Sequence, residues 1–185
     1  MGNDIKELKA QLLALLNKEA LKRGKFRLSS GKASNYYLDG RVITLEPKGA
    51  YLVASIILET FKDKKIDALG GPTLGADPIV GAVALLSHIN NVPLKTFIVR
   101  KAAKEHGTAR QVEGPELAKG SRVILVDDVA TSGSALIEAK HALDKLGITA
   151  DTAMVIVDRC EGAKENLARE GISLESIFTI KDFGL

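Results

Sequence analysis

Two adjacent carboxylates, Asp127 and Asp128, close the apolar run Val123-Ile124-Leu125-Val126. Small and hydroxyl-bearing side chains dominate the stretch after them, Val129-Ala130-Thr131-Ser132-Gly133-Ser134-Ala135. Such a loop offers backbone N–H groups and hydroxyls. If a helix starts there, its positive dipole end faces the same way, which suits a phosphate. The carboxylates would repel that phosphate and suit hydroxyl donors or a hard divalent cation instead. A ligand with a phosphate at one end and a diol nearby, a ribose 5-phosphate, satisfies both. The plainer alternative is a strand–turn–helix with a solvated acidic turn. Two other phosphate motifs, G-x-x-x-x-G-K-[ST] and G-x-G-x-x-G after a strand, are absent.

Two further stretches carry chemistry. Gly70-Gly71-Pro72-Thr73-Leu74-Gly75-Ala76 is a glycine-rich turn, with Asp77 and Pro78 read as N-cap and first helical residue. It is a second candidate anion loop, or a mere tight turn. Arg100-Lys101-Ala102-Ala103-Lys104-Glu105-His106-Gly107 concentrates cations, with Arg110 close behind. Such a run is commonly a solvated face. It begins, however, where a strand should end, as the other two loops do. Donors so placed can stabilise a departing anion, and a mobile loop can exclude water.

The elements that must position these residues follow from periodicity. Asp4 and Glu7 give a helix start signal, and Ile5, Leu8, Leu12, Leu15, Leu16 and Ala20 form a helical stripe closed at Gly24. Phe26–Leu28 and Tyr36–Leu38 read as strands joined by the turn Ser29-Ser30-Gly31-Lys32. Pro47 opens a helix with Leu52, Ile56 and Phe61 on its buried side. Strands follow at Ile66–Leu69, Lys95–Val99, Val123–Val126, Thr152–Val157 and Leu174–Ile180. Helices run through Val80, Val83, Leu86 and Ile89, through Leu136, Ile137, Ala139, Leu143 and Leu146, and from Ala163 to Arg169. Residues 100–119 show no apolar period, and twenty structureless residues in a compact domain are usually functional. Alternating strands and helices predict a parallel sheet with helices on both faces and ligands at the strands' C-terminal ends.

The composition sets limits. In 185 residues, 26 Lys+Arg against 23 Asp+Glu give a net charge of +3, too weak and dispersed to argue for nucleic acid. The one cysteine, Cys160, has no partner for an internal disulfide and reads as a packed thiol. His88, His106 and His141 lack the spacing of a metal cluster. No apolar run spans a membrane and no signal-peptide pattern is present, so the expectation is a cytoplasmic protein.

The stretch from Val123 to Ala135 resembles the phosphoribosyl-pyrophosphate (PRPP) motif of the type I phosphoribosyltransferases. Arg-Lys-x-x-Lys-x-His-Gly from Arg100 resembles the catalytic loop of the orotate phosphoribosyltransferases among them. Phe26-Arg-Leu-Ser-Ser-Gly-Lys-Ala-Ser-Asn-Tyr36-Tyr37 resembles that family's orotate-site hairpin. The Gly-Pro pair at 71–72 with Pro78 resembles its pyrophosphate loop, and Arg159 falls where it carries an orotate-contacting arginine. The resemblance runs from the first helix to the last strand. Some members carry lysine at the positions of Ser29 and Gly75, and many have Glu-Asp where this chain has Asp127-Asp128.

The resemblance implies a type I phosphoribosyltransferase fold, with a central parallel sheet flanked by helices. It implies one domain over residues 1–185, with a helix–hairpin hood over about 1–45 plus C-terminal elements and a core over about 46–160. The implied reaction moves the ribose 5-phosphate of PRPP to N1 of orotate, giving orotidine 5′-phosphate and pyrophosphate in pyrimidine biosynthesis. PRPP would be held by Arg100, Lys101, Lys104, His106 and the run from Asp127 and Asp128 through Val129, Ala130, Thr131, Ser132, Gly133, Ser134 and Ala135. Asp127, Asp128, Lys101, Lys104 and His106 would be catalytic. Gly71, Pro72, Thr73, Leu74 and Gly75 would line the pyrophosphate. Thr131, Arg159, Ser30, Gly31, Tyr36 and Tyr37 would line orotate, the two tyrosines through their backbone. Mg²⁺ would accompany PRPP with no direct protein ligand assigned, Asp127 and Asp128 being candidates for contact through water. The family also implies a homodimer with shared active sites. Two rivals stay open: transfer to another base, chiefly a purine, and a non-catalytic PRPP sensor. The orotate-type hairpin argues against the first and the intact basic loop against the second.

Overall fold

The run Val123–Val126 lies at the centre of the molecule because both of its faces are apolar. In the computed structural model, which describes residues 4–27, 33–102 and 110–185, these four side chains are buried. Val123 and Leu125 pack into one apolar cluster, and Ile124 and Val126 into the other. A strand whose alternate residues feed two cores must be covered on both sides.

In chain order the elements are α1 (Ile5–Leu15), a π-helical turn (Leu16–Ala20), β1 (Leu21–Arg27), β2 (Ala33–Leu38), α2 (Arg41–Thr44) and α3 (Pro47–Phe61). Next come β3 (Ala68–Pro72), α4 (Ala76–Ile89), β4 (Lys95–Val99), β5 (Val112–Glu113), β6 (Arg122–Ala130) and α5 (Ser134–Asp144). The chain closes with β7 (Thr149–Asp158), α6 (Ala163–Arg169), β8 (Ser173–Thr179) and a 3-10 turn (Ile180–Phe183). Among the described residues six strands form one sheet in the order β5-β4-β3-β6-β7-β8, parallel throughout except for β5, which pairs antiparallel with β4. Side chains of α1, α3 and α4 fill one core, and those of α5 and α6 the other. β1 and β2 make a separate antiparallel pair, tied to the C-terminus where Arg23 Nη2 donates to the Phe183 carbonyl at 2.7 Å.

From β3 the chain steps outward to β4 on one side, while β6 flanks β3 on the other. The crevice between β3 and β6 is therefore the topological switch point, where open α/β sheets bind ligands. The glycines of β3 allow that close approach. A Cβ on Gly70 would lie 2.2 Å from the Phe97 carbonyl oxygen, and one on Gly71 would lie 1.9 Å from that of Val126.

Several boundaries differ from the sequence reading. The first helix ends before Gly24. That glycine sits inside β1 at φ 150°, where the register against β2 shifts between Arg23 and Phe26. The glycine marks a strand irregularity rather than a helix stop. β3 extends through Pro72, so Gly70 and Gly71 belong to the sheet. α4 starts at Ala76 with Gly75 as N-cap, and Asp77 lies inside its first turn without capping it. Within 100–119, β5 adds an edge strand, held at its base by Arg100 N–H donating to the Gln111 carbonyl at 2.9 Å. Two residues are too few to show a period of two.

Candidate functional site

The acidic pair lies on β6 just short of its end, and each carboxylate is braced by its successor. Asp127 Oδ1 accepts the N–H of Asp128 at 2.9 Å, and Asp128 Oδ1 accepts that of Val129 at 2.8 Å. Gly75 and Gly40 close over the pair. A Cβ on Gly75 would stand 2.1 Å from Asp127 Oδ1 and 2.6 Å from Asp128 Oδ1, and one on Gly40 would stand 2.8 Å from Asp128 Cβ. The chain comes this close only because it has hydrogen there.

Burial pushes the Asp127 carboxyl well above its ordinary range, and the neighbouring charges of Asp128 and Asp77 add to the shift. Burial also raises Asp128, opposed by the Val129 N–H and the positive charge of Arg41. Arg41 is itself anchored on Asp39, with Nε and Nη2 each donating at 2.9 Å. A buried pair of this kind accepts hydroxyl donors and gains from any positive charge that develops beside it.

The loop after β6 leads into α5 through Gly133, at φ 79° and with no side-chain cap. A Cβ there would press on Leu167 Cγ at 3.0 Å. The first amides of α5 are thus unclaimed by a cap, and a cavity of about 170 Å³ opens along Asp127 and Val129–Leu136. Asn166 Nδ2 holds the far side of the loop by donating to the Ser132 carbonyl at 2.9 Å. Across the switch point, α4 also begins on an uncapped glycine, Gly75. Its loop is fixed by Thr73 N–H donating to the Val99 carbonyl at 3.0 Å, and Leu74 is exposed. Two helix N-termini therefore flank one acidic pair: α5 offers its first amides without a cap, whereas in α4 the Asp77 N–H donates to the Leu74 carbonyl at 3.3 Å and Pro78 has no N–H, so that end offers an anion chiefly its dipole.

The base end is assembled from distant pieces. In the register of β6 and β7, Ala130 pairs with Asp158, and Arg159 N–H donates to the Ala130 carbonyl at 2.9 Å. That sets Arg159 beside Thr131. Its guanidinium lies 4.8 Å from the Tyr36 ring centroid, and its Nε donates to Tyr36 Oη at 3.0 Å. Tyr37 is half-exposed, its ring centroid 5.8 Å from that of Phe26.

The structure thus brings together Asp127, Asp128, the Thr131–Ala135 loop, Gly75, Arg159 and Tyr36. Lys101 is exposed, and Arg100 turns toward Glu113 on β5 at 4.0 Å. Ser30, Gly31, Lys104 and His106 lie outside the described residues. Among the described residues no cluster of three metal-ligating side chains occurs, and no helix is long and apolar enough to cross a membrane. Sequence reasoning missed Gly40, Arg41, Glu161 and Asn166. The Asp39-Gly40-Arg41 turn before a helix was the one local signal available, and the other two residues have meaning only through long-range contacts.

A family model described as a phosphoribosyl transferase domain matches residues 43–185. The orotate phosphoribosyltransferase of Rhodopirellula baltica is 43% identical over 182 residues, covering 95% of this chain and 94% of that protein. That of Aquifex aeolicus is 43% identical over 175 residues, covering 93% and 95%. The crystal structure of Mycobacterium tuberculosis orotate phosphoribosyltransferase in complex with PRPP superposes with a TM-score of 0.80 at 32% identity. It covers 96% of this chain and 99% of that one.

Proposed function

The chain belongs to the orotate phosphoribosyltransferases, and we propose that its two uncapped helix N-termini, its acidic pair and Arg159 divide PRPP and orotate between them. The reaction joins orotate to the ribose 5-phosphate of PRPP and releases pyrophosphate, a step of pyrimidine biosynthesis. One observation carries the assignment of parts: the acidic pair lies between two helix N-termini at the switch point, and the Arg159 N–H donates to the carbonyl of Ala130, two residues beyond Asp128.

The Thr131–Ala135 loop holds the 5-phosphate. Asp127 and Asp128 accept the ribose hydroxyls. As the bond from C1′ to pyrophosphate lengthens, the sugar takes on oxocarbenium character. The ionised pair, disfavoured by its burial, is stabilised by that positive charge. Gly71–Gly75 line the pyrophosphate, and Arg100, Lys101, Lys104 and His106 offset its developing charge. Thr131, Arg159, the Ser30-Gly31 turn and the Tyr36-Tyr37 strand orient orotate, Arg159 matching its carboxylate.

Mg²⁺, bound together with PRPP, would supply charge neutralisation for the departing pyrophosphate. The described residues fit that role without a direct ligand, since no three metal-ligating side chains cluster among them and Asp127 and Asp128 are each braced by a backbone N–H. The protein is cytoplasmic in this reading. The β1–β2 pair and the C-terminal 3-10 turn, linked through Arg23, support a hood over one domain, with β8 remaining in the central sheet.

The assembly is a two-fold dimer sharing sites through the basic loop. The exposed apolar side chains Val42 and Leu45 on and after α2, and Leu85 and Ile89 on the neighbouring α4, support a surface that another copy covers. Mixing Lys104→Ala with Asp128→Asn chains should restore about a quarter of wild-type activity under random exchange. No recovery despite demonstrated exchange would mean that each loop serves its own site. The reaction itself is tested by turnover of PRPP and Mg²⁺ with orotate, uracil, hypoxanthine and adenine. Orotate alone should turn over efficiently, and equal use of any other base would overturn the assignment.

A further inference from the structure

Arg159 is held on two sides before any substrate arrives. Its side chain is 9% exposed, and its Nη2 lies 2.9 Å from Glu161 Oε1 while its Nε donates to Tyr36 Oη at 3.0 Å. The same tyrosine ring lies under the guanidinium. The local chain conformation brings Glu161 to Arg159. Cys160 between them takes a left-handed conformation at φ 56°, and its N–H donates to Asp158 Oδ1 at 2.8 Å. A left-handed residue other than glycine is uncommon and persists where its surroundings fix it. Tyr36 is fixed in turn, its N–H donating to Ser34 Oγ at 3.3 Å and its carbonyl accepting from the same hydroxyl at 2.7 Å.

A guanidinium has five N–H donors in a rigid plane, and a carboxylate engages two of them side by side. Nε and Nη2 lie along one edge of that plane; here Nε donates to Tyr36 Oη and Nη2 is ion-paired with Glu161. We propose that Tyr36 and Glu161 are positioning residues: by engaging Nε and Nη2 of Arg159 they leave its Nη1 for the carboxylate of the incoming base. This rests on the reading that Arg159 orients orotate. Glu161 also supplies the counter-charge that an almost buried arginine needs. A base without a carboxylate leaves the Nη1 end unpaired, so the pair sharpens the choice of base as well as its placement.

The test is steady-state kinetics of the full-length enzyme with orotate and PRPP varied in turn. Glu161→Ala should raise the orotate KM roughly tenfold, leaving the PRPP KM and kcat at saturating orotate within about twofold. Glu161→Gln keeps an acceptor oxygen and should bring the orotate KM back to within about threefold of wild type. Tyr36→Phe keeps the ring, loses the acceptor, and should raise the orotate KM by roughly threefold. The proposal is overturned if Glu161→Ala leaves the orotate KM unchanged, if it raises both KM values together, or if the Gln and Ala variants are equally impaired. Arg159→Ala separates this from the underlying reading. If that variant keeps the wild-type orotate KM, Arg159 does not contact the base at all. If it loses orotate while Glu161→Ala does not, only the positioning role falls.

Discussion

The sugar–phosphate end of the site and its base end are built by different means. The first is one contiguous run, Asp127 to Ala135, with backbone amides as its donors and glycines closing in from Gly40 and Gly75. The second joins Arg159 to Tyr36, 123 positions apart, and its donors and acceptors are side chains. A backbone cradle tolerates many sequences provided the chain path is kept. A side-chain clamp can be retuned by single substitutions. The first arrangement suits a group common to a whole class of reactions, and the second suits the part that distinguishes one base from another.

The largest effect should come from the acidic pair. Asp128→Asn keeps the shape and removes the charge facing the sugar, and should lower kcat on the order of 10²-fold with the orotate KM little moved. Wild-type turnover in both Asp127→Asn and Asp128→Asn, with folding intact, would remove the pair from the chemistry. Gly75→Ala comes next. Its Cβ would stand 2.1 Å from Asp127 Oδ1, so the carboxylates must shift. Misplacement on that scale should cost roughly 10- to 100-fold in kcat/KM for PRPP. An unaltered value would mean that the α4 loop does not constrain the pair.

Smaller effects sharpen the contrast. Asn166→Ala frees the Ser132 carbonyl and should raise the PRPP KM roughly threefold to tenfold while sparing that of orotate. A rise in the orotate KM instead would place the loop at the wrong end. Asp127→Asn should also alter stability. The native carboxyl is raised above its ordinary value of 3.8, so above that pH the folded state binds more protons than the unfolded one. Wild-type stability should therefore fall as pH rises from about 4 toward the raised native value, and the Asn variant should lack that loss. Thermal melts of the ligand-free proteins between about pH 4 and 8 measure it. Parallel curves would mean that Asp127 ionises as freely folded as unfolded.

The same division explains what the sequence discloses. Val123–Val126 announces a doubly covered strand, and the acids and hydroxyls after it announce a ligand, because strand, loop and helix are consecutive there. The Ala163–Arg169 helix is legible for the same reason, and the structure has it at those limits. Gly24 and Gly70 mislead, since a glycine marks a helix stop, a bulge or a close approach alike. Only the partner strand distinguishes these. The side chain of Tyr36 and the carboxylate of Glu161 are silent until β7 and the β1–β2 pair are placed side by side. Asp77 looks like a cap by type and position, yet the cap falls two residues earlier, on Gly75.

The most direct test of this two-ended site is a pair of KM values from one variant. Arg159→Ala should raise the orotate KM strongly and bring its use closer to that of uracil, while leaving the PRPP KM within about twofold of wild type, since no donor of the phosphate cradle is lost. An equal rise in both KM values would contradict the account, because it would mean that base and sugar phosphate are held by one coupled unit.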